Sequence, residues 1–102
     1  MMMMINLKAA VAAVAIVAAT GAVAETKQET CTLIGQLAAV IMEKRQDGVD
    51  MSRLMEIAES EIVKRMVIFA YETPRYSSED YKRTAVQDFA NEAMGACYGS
   101  DW

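Results

Sequence analysis

The sequence predicts an all-α fold, a small bundle of three or four short helices closed by one disulfide joining the first and last helices. Three observations lead there. Apolar residues recur at helical spacing in segments separated by capping or breaking residues. No strand-like alternation is present. The two cysteines, Cys31 and Cys97, stand near the two ends of what reads as an exported domain.

Residues 1–24 read as a cleaved signal peptide. Lys8 and the amino terminus supply a positive start, and Ala9 to Ala19 is an unbroken apolar run. Thr20-Gly21 breaks that run, and Ala22-Val23-Ala24 matches a small-x-small cleavage pattern. The run is about half of the ~20 apolar residues that span a bilayer, so no stable membrane insertion is expected after cleavage. In the exported, most simply periplasmic, compartment an even pair of cysteines is a disulfide. Chain-entropy arithmetic puts a bridge closing so long a loop at about 4 kcal/mol.

The mature chain divides into a polar lead-in (25–30), a helical domain (31–98) and a short tail (99–102). Thr30 is the expected cap of the first helix, whose stripe holds Cys31, Ile34, Leu37, Ala38, Ile41 and Arg45. Gln46-Asp47-Gly48 stops it, with Gly48 suited to a left-handed position. Asp50 or Ser52 caps the next segment, which turns Met51, Leu54, Met55 and Ala58 to one face. Glu59-Ser60-Glu61 is either a bend or the exposed side of one helix. Ile62 to Glu72 reads as a third helix, in which Met66 to Tyr71 has no polar face and must be surrounded, by its own domain or by another molecule. Pro74 breaks the chain. Ser77 is the expected cap of a last helix with Glu79 and Asp80 in its first turn and Tyr81, Ala85, Val86, Phe89, Ala90, Ala93 and Cys97 on its inner stripe. Gly95 and Ala96, beside Cys97, are expected to let the first and last helices approach closely.

Composition narrows the function. The chain holds 10 basic and 14 acidic residues and no histidine, and Lys8 is the only charge in the leader, so the mature net charge is −5. That argues against nucleic acid as a partner. Serine–histidine and cysteine–histidine catalysis are excluded, and the 5 glycines are scattered singly rather than gathered in a phosphate-cradling loop. Glu56, Glu59 and Glu61 do not share one helical face and read as solvated surface. Glu72 near Arg75, and Glu79-Asp80 near Lys82-Arg83, read as capping and surface charge. Two cysteines without histidine make a poor zinc site. No enzyme activity, cofactor or metal is expected. Met42, Met51, Met55, Met66 and Met94 read as core, with an adaptable partner surface as the alternative.

Tyr71, Tyr76 and Tyr81 bracket Pro74 at intervals of five, with Arg75 between them. Tyrosine and arginine are typical anchors of protein interfaces. Together with Met66 and Phe69 they make the candidate partner surface. The competing reading has the tyrosines closing the end of the bundle, ring inward and hydroxyl in water.

Cys31, the run from Ile41 to Ser52, Met55-Glu56-Ile57-Ala58, the run from Ala70 to Ser77, Asp88-Phe89 and Cys97 resemble a group of small exported proteins of bacteriophages and prophages of Gram-negative bacteria. The resemblance covers most of residues 31–97; Trp102 falls outside it. It implies a phage or bacterial origin and a periplasmic location, and it carries over no catalytic residue. Three functions follow as expectations: a non-enzymatic exported protein that binds a protein partner in the cell envelope, an acid-stress periplasmic chaperone, and a structural homodimer built on the third helix.

Overall fold

The computed structural model describes residues 26–101. The leader expected over 1–24, Glu25 of the lead-in and Trp102 of the tail lie outside the described residues. Among the described residues there are four helices: α1 (Lys27–Gln46), α2 (Met51–Ile57), α3 (Glu61–Glu72) and α4 (Glu79–Tyr98). There is no strand among the described residues. The first and last helices are joined by the Cys31–Cys97 disulfide, with their Cα atoms 5.5 Å apart.

α1 begins earlier than the sequence reading placed it. Thr26, not Thr30, is the cap: its hydroxyl accepts from the Glu29 amide at 3.0 Å while the Glu29 carboxylate accepts from the Thr26 amide. This reciprocal box satisfies two amides that a bare helix start would leave unpaired. The lead-in therefore shrinks to its first residues. The other end of α1 closes as expected. Gly48 has φ +86°, and the amides of Gly48 and Val49 return to the carbonyls of Arg45 and Lys44. This pairing satisfies the last carbonyls of the helix and needs a residue without a Cβ at the left-handed position.

Asp50 caps α2 by backbone conformation alone, without a side-chain hydrogen bond. Glu59-Ser60-Glu61 resolves as the break between α2 and α3, with Ser60 accepting from the Val63 amide. α3 ends at Thr73, held extended by Pro74. Ser78, one residue beyond the expected Ser77, caps α4 by accepting from the Tyr81 amide. The acidic first turn of α4 finds its bases within the same helix, Glu79 with Lys82 at 3.8 Å and Asp80 with Arg83 at 3.1 Å.

α1 is the spine. α4 runs antiparallel along it, because the disulfide fixes the start of α1 to the end of α4. α3 packs on α1 as well, with α2 against α3. The core is one cluster around Ala38, Ile41, Met42, Leu54, Met66, Val67, Ala70, Ala85 and Phe89. Close approach of α1 and α4 occurs at Gly35, where an added Cβ would lie 2.6 Å from Met94 Cγ, whereas Gly95 is exposed with open space beside it. The contact expected at Gly95-Ala96 is thus made one helix over. Beyond it, Lys27 Nζ donates to the Ser100 carbonyl at 2.7 Å and ties the tail to the start of α1.

The apolar run Met66–Tyr71 is not surrounded within the domain. Met66, Val67 and Ala70 are buried, but Ile68 is 41% and Phe69 57% exposed. A domain this small covers only one face of α3.

The disulfide closes 66 residues of sequence separation. Its removal by reduction, or by the Cys31→Ser/Cys97→Ser pair, is expected to lower unfolding free energy by about 4 kcal/mol. Denaturant titration of the oxidised and reduced mature protein checks this; equal midpoints would show that the bridge does not hold the bundle.

Candidate functional site

The last turn of α1 and the loop before α4 are built as one polar junction. Gln46 continues the buried stripe of Ala38 and Met42, and it is only 2% exposed. Its Nε2 donates to the Pro74 carbonyl at 2.9 Å, and its Oε1 accepts from the Tyr76 amide at 2.8 Å. A buried amide is tolerable only with such partners. On either side, Arg45 Nε donates to the Thr73 carbonyl at 2.9 Å and Arg75 Nε donates to the Gln46 carbonyl at 3.0 Å. The Arg75 guanidinium also lies over Gly48, where a Cβ would come within 2.8 Å of its Cζ. Gly48 is therefore required by its backbone angle, with the Arg75 guanidinium packed where a Cβ would otherwise stand. Residues 73–76 are pinned to α1 by four hydrogen bonds that join residues distant in sequence.

Tyr71 belongs to the same junction. Its hydroxyl donates to the Val49 carbonyl, and the Arg45 guanidinium stands 5.0 Å from its ring centroid. The expected hydroxyl in water is thus instead bonded to protein. Burial raises the Tyr71 phenol above its ordinary value; the Arg45 charge opposes this and Asp50 adds to it. The protonated phenol is favoured in the folded state. Its contribution is therefore complete below the unfolded value and lost as pH climbs through the folded one.

The six residues of the candidate partner surface do not form one surface. Met66 is core. Tyr71 and Arg75 hold the junction. Phe69 is exposed and lines neither of the two concavities described next. Tyr76 and Tyr81 do come together, with ring centroids 5.9 Å apart and planes tilted by 57°.

Those two rings form a wall of an open cleft of about 370 Å³ between α4 and the pinned loop. Thr73 and Tyr76 come from the loop; Tyr81, Thr84, Ala85, Asp88, Phe89 and Glu92 come from α4 at helical spacing. The sequence reading missed Asp88 and Glu92 as site residues. Their one-turn spacing was legible, but the facing wall exists only once Gln46 has placed the loop. A second concavity, of about 470 Å³, lies between α1 and the α2–α3 arm and is mainly apolar, lined by Leu37, Val40, Ile41, Leu54, Ile57 and Val63 among others. Ile57 at its edge is 74% exposed.

Among the described residues no group of three or more acidic or cysteine side chains is placed to hold a metal ion. No helix of the described residues is long and apolar enough to cross a membrane. No protein-family model matches the sequence, and neither the curated proteins nor the solved structures give a significant match. The fold and the site therefore rest on the geometry of this chain alone.

Two substitutions test the junction. Gln46→Ala leaves the Pro74 carbonyl and the Tyr76 amide without partners and is expected to cost about 2 kcal/mol, against a few tenths for the exposed Gln28→Ala. Chemical denaturation compares them, and equal costs would refute the role of Gln46. Tyr71→Phe is expected to be less stable than the parent at neutral pH but to lose less further stability as pH rises above about 10, the ordinary tyrosine value. Urea midpoints across that range report it, and parallel alkaline limbs would contradict the assignment.

Proposed function

We propose that this chain is a non-enzymatic, exported binding protein whose partner is a protein of the bacterial envelope. The observation that carries the reading is the apolar surface left on a covalently clasped domain. Leu33, Ile57, Ile62, Phe69 and Tyr81 are each more than half exposed. Ile57 edges the apolar concavity and Tyr81 walls the cleft, so exposed apolar groups flank two openings. Exposed apolar groups beside an open groove are the kind of surface a protein partner covers. The leader pattern and the disulfide support export to the periplasm. The resemblance to exported phage proteins supports a phage or prophage origin, with a host envelope component as the target.

A second reading, the acid-stress chaperone, draws on the arrangement of α2 and α3. They pack as an arm on α1, covering Ile41 and turning α3's own Val67 inward, while the disulfide crosslinks only α1 and α4. An arm that opens at low pH would expose that core without releasing the clasped pair. Protection of a client protein from aggregation at about pH 2–3 would favour this reading, and no protection there would eliminate it.

The binding reading predicts that the processed protein, starting near Glu25, fractionates with the periplasm. It also predicts that the tagged mature protein captures one envelope protein specifically, and that Ile57→Ser/Phe69→Ser loses that capture while remaining folded by circular dichroism. Recovery of no specific partner, or capture unaffected by the substitutions, would count against it. Concentration-dependent self-association lost in the same variant would transfer the surface to a homodimer.

A further inference from the structure

The Cys31–Cys97 bridge is unequal at its two ends. Cys31 opens the buried stripe of α1, followed by Gly35, Ala38 and Met42 at helical spacing, and it is 0% exposed. Met94 of α4 closes over Gly35, one turn further along the same stripe. Cys97 stands in the last turn of α4 and is only partly buried. The residues around it in sequence are small and exposed: Ala96, Gly99, Ser100, and Gly95 with open space where a side chain would stand. Helix ends open at lower cost than packed helix interiors, and Gly99 caps α4 two residues beyond Cys97.

Thiol–disulfide exchange depends on this difference. A thiolate attacks one sulfur of a bridge, bonds to it, and expels the other as a thiolate, so access to the attacked sulfur sets the course. Attack at Cys31 first requires a core residue to be uncovered, which means parting α1 from α4. Attack at Cys97 needs no such opening. We propose that Cys97 is the site at which a small external thiol couples to the native protein as a mixed disulfide. The external thiolate gives its electron pair to the new bond with Cys97 Sγ. The Cys31–Cys97 bond breaks, and its electron pair leaves on Cys31 Sγ, which takes a proton from water. Cys31 stays covered by the bundle and faces Cys97, its Cα 5.5 Å away in the bridged form. It therefore re-attacks Cys97 Sγ, expels the external thiolate and restores the bridge when the thiol is withdrawn. The clasp is thus opened and closed from its α4 end, with Cys97 modified and Cys31 resolving.

The test is peptide mapping of the oxidised mature protein after brief exposure to excess reduced glutathione at about pH 8, where part of the thiol is ionised. Acid quenches the exchange by protonating thiolates, and free thiols are then alkylated in denaturant. Trypsin places Cys31 and Cys97 on separate peptides, 28–44 and 84–102. The glutathione adduct is expected on Cys97 at least about tenfold more often than on Cys31, with the alkylated thiol on Cys31. In urea above the unfolding midpoint both sulfurs are open, and the two adducts are expected within about twofold of each other. Removal of glutathione from the native adduct is expected to restore the bridge without added oxidant. An even split or a preference for Cys31 in the native protein would overturn the proposal. So would a Cys97 preference that persists undiminished in urea, an adduct that outlasts removal of the thiol, or a bridge that yields no adduct until the fold unfolds.

Discussion

The covalent link between Cys31 and Cys97 is the constraint on which the rest of the molecule depends. It brings together the start of the first long helix and the end of the last, and packing along their length then aligns α1 and α4 antiparallel. Chain entropy lost by the unfolded state stabilises that pairing. A core cluster as small as the one around Met42, Val67 and Phe89 gives such a domain limited stability of its own. With α1 and α4 joined, the close approach at Gly35 and the contact between Lys27 and Ser100 follow at the same end.

The opposite end is held differently. No cross-link exists there, and the chain must return from α3 to α4 through a proline-containing loop. Gln46, Arg45 and Arg75 fix that loop by directed hydrogen bonds to backbone groups. Each such bond contributes modestly when made, but the buried ones are costly to leave unmade. The junction therefore sets geometry more than it adds stability. It places Thr73 and Tyr76 across from Tyr81, Asp88 and Glu92, and that placement creates the cleft.

Much of this architecture was legible because it is written in local patterns. The stripe through Ala38 and Ile41, the stop at Gly48, the break at Pro74 and the pairing of the two cysteines all follow from periodicity, turn chemistry and compartment. The misses have physical causes. Thr26 and Glu29 form a reciprocal cap whose spacing was visible, but Thr30 lay nearer the apolar stripe. Gln46 is polar, and only its register with Ala38 and Met42 hinted at burial. Gly35 rather than Gly95 meets the facing helix, since the rotation of one helix against another is a tertiary property. The six candidate partner residues separated for the same reason. Tyr71 and Arg75 were claimed by backbone carbonyls that no local pattern displays, whereas Tyr76 and Tyr81 remained together at the cleft.

The frame is clasped at one end by sulfur and at the other by a buried amide. What it presents are exposed apolar side chains and a recess lined by Tyr76, Tyr81, Asp88 and Glu92. The frame itself is tested most directly by non-reducing peptide mapping of the processed protein isolated from intact cells under alkylating conditions. A peptide pair joined through Cys31 and Cys97, with no alkylated cysteine, is the result the account predicts. Two alkylated cysteines in the processed protein would contradict it.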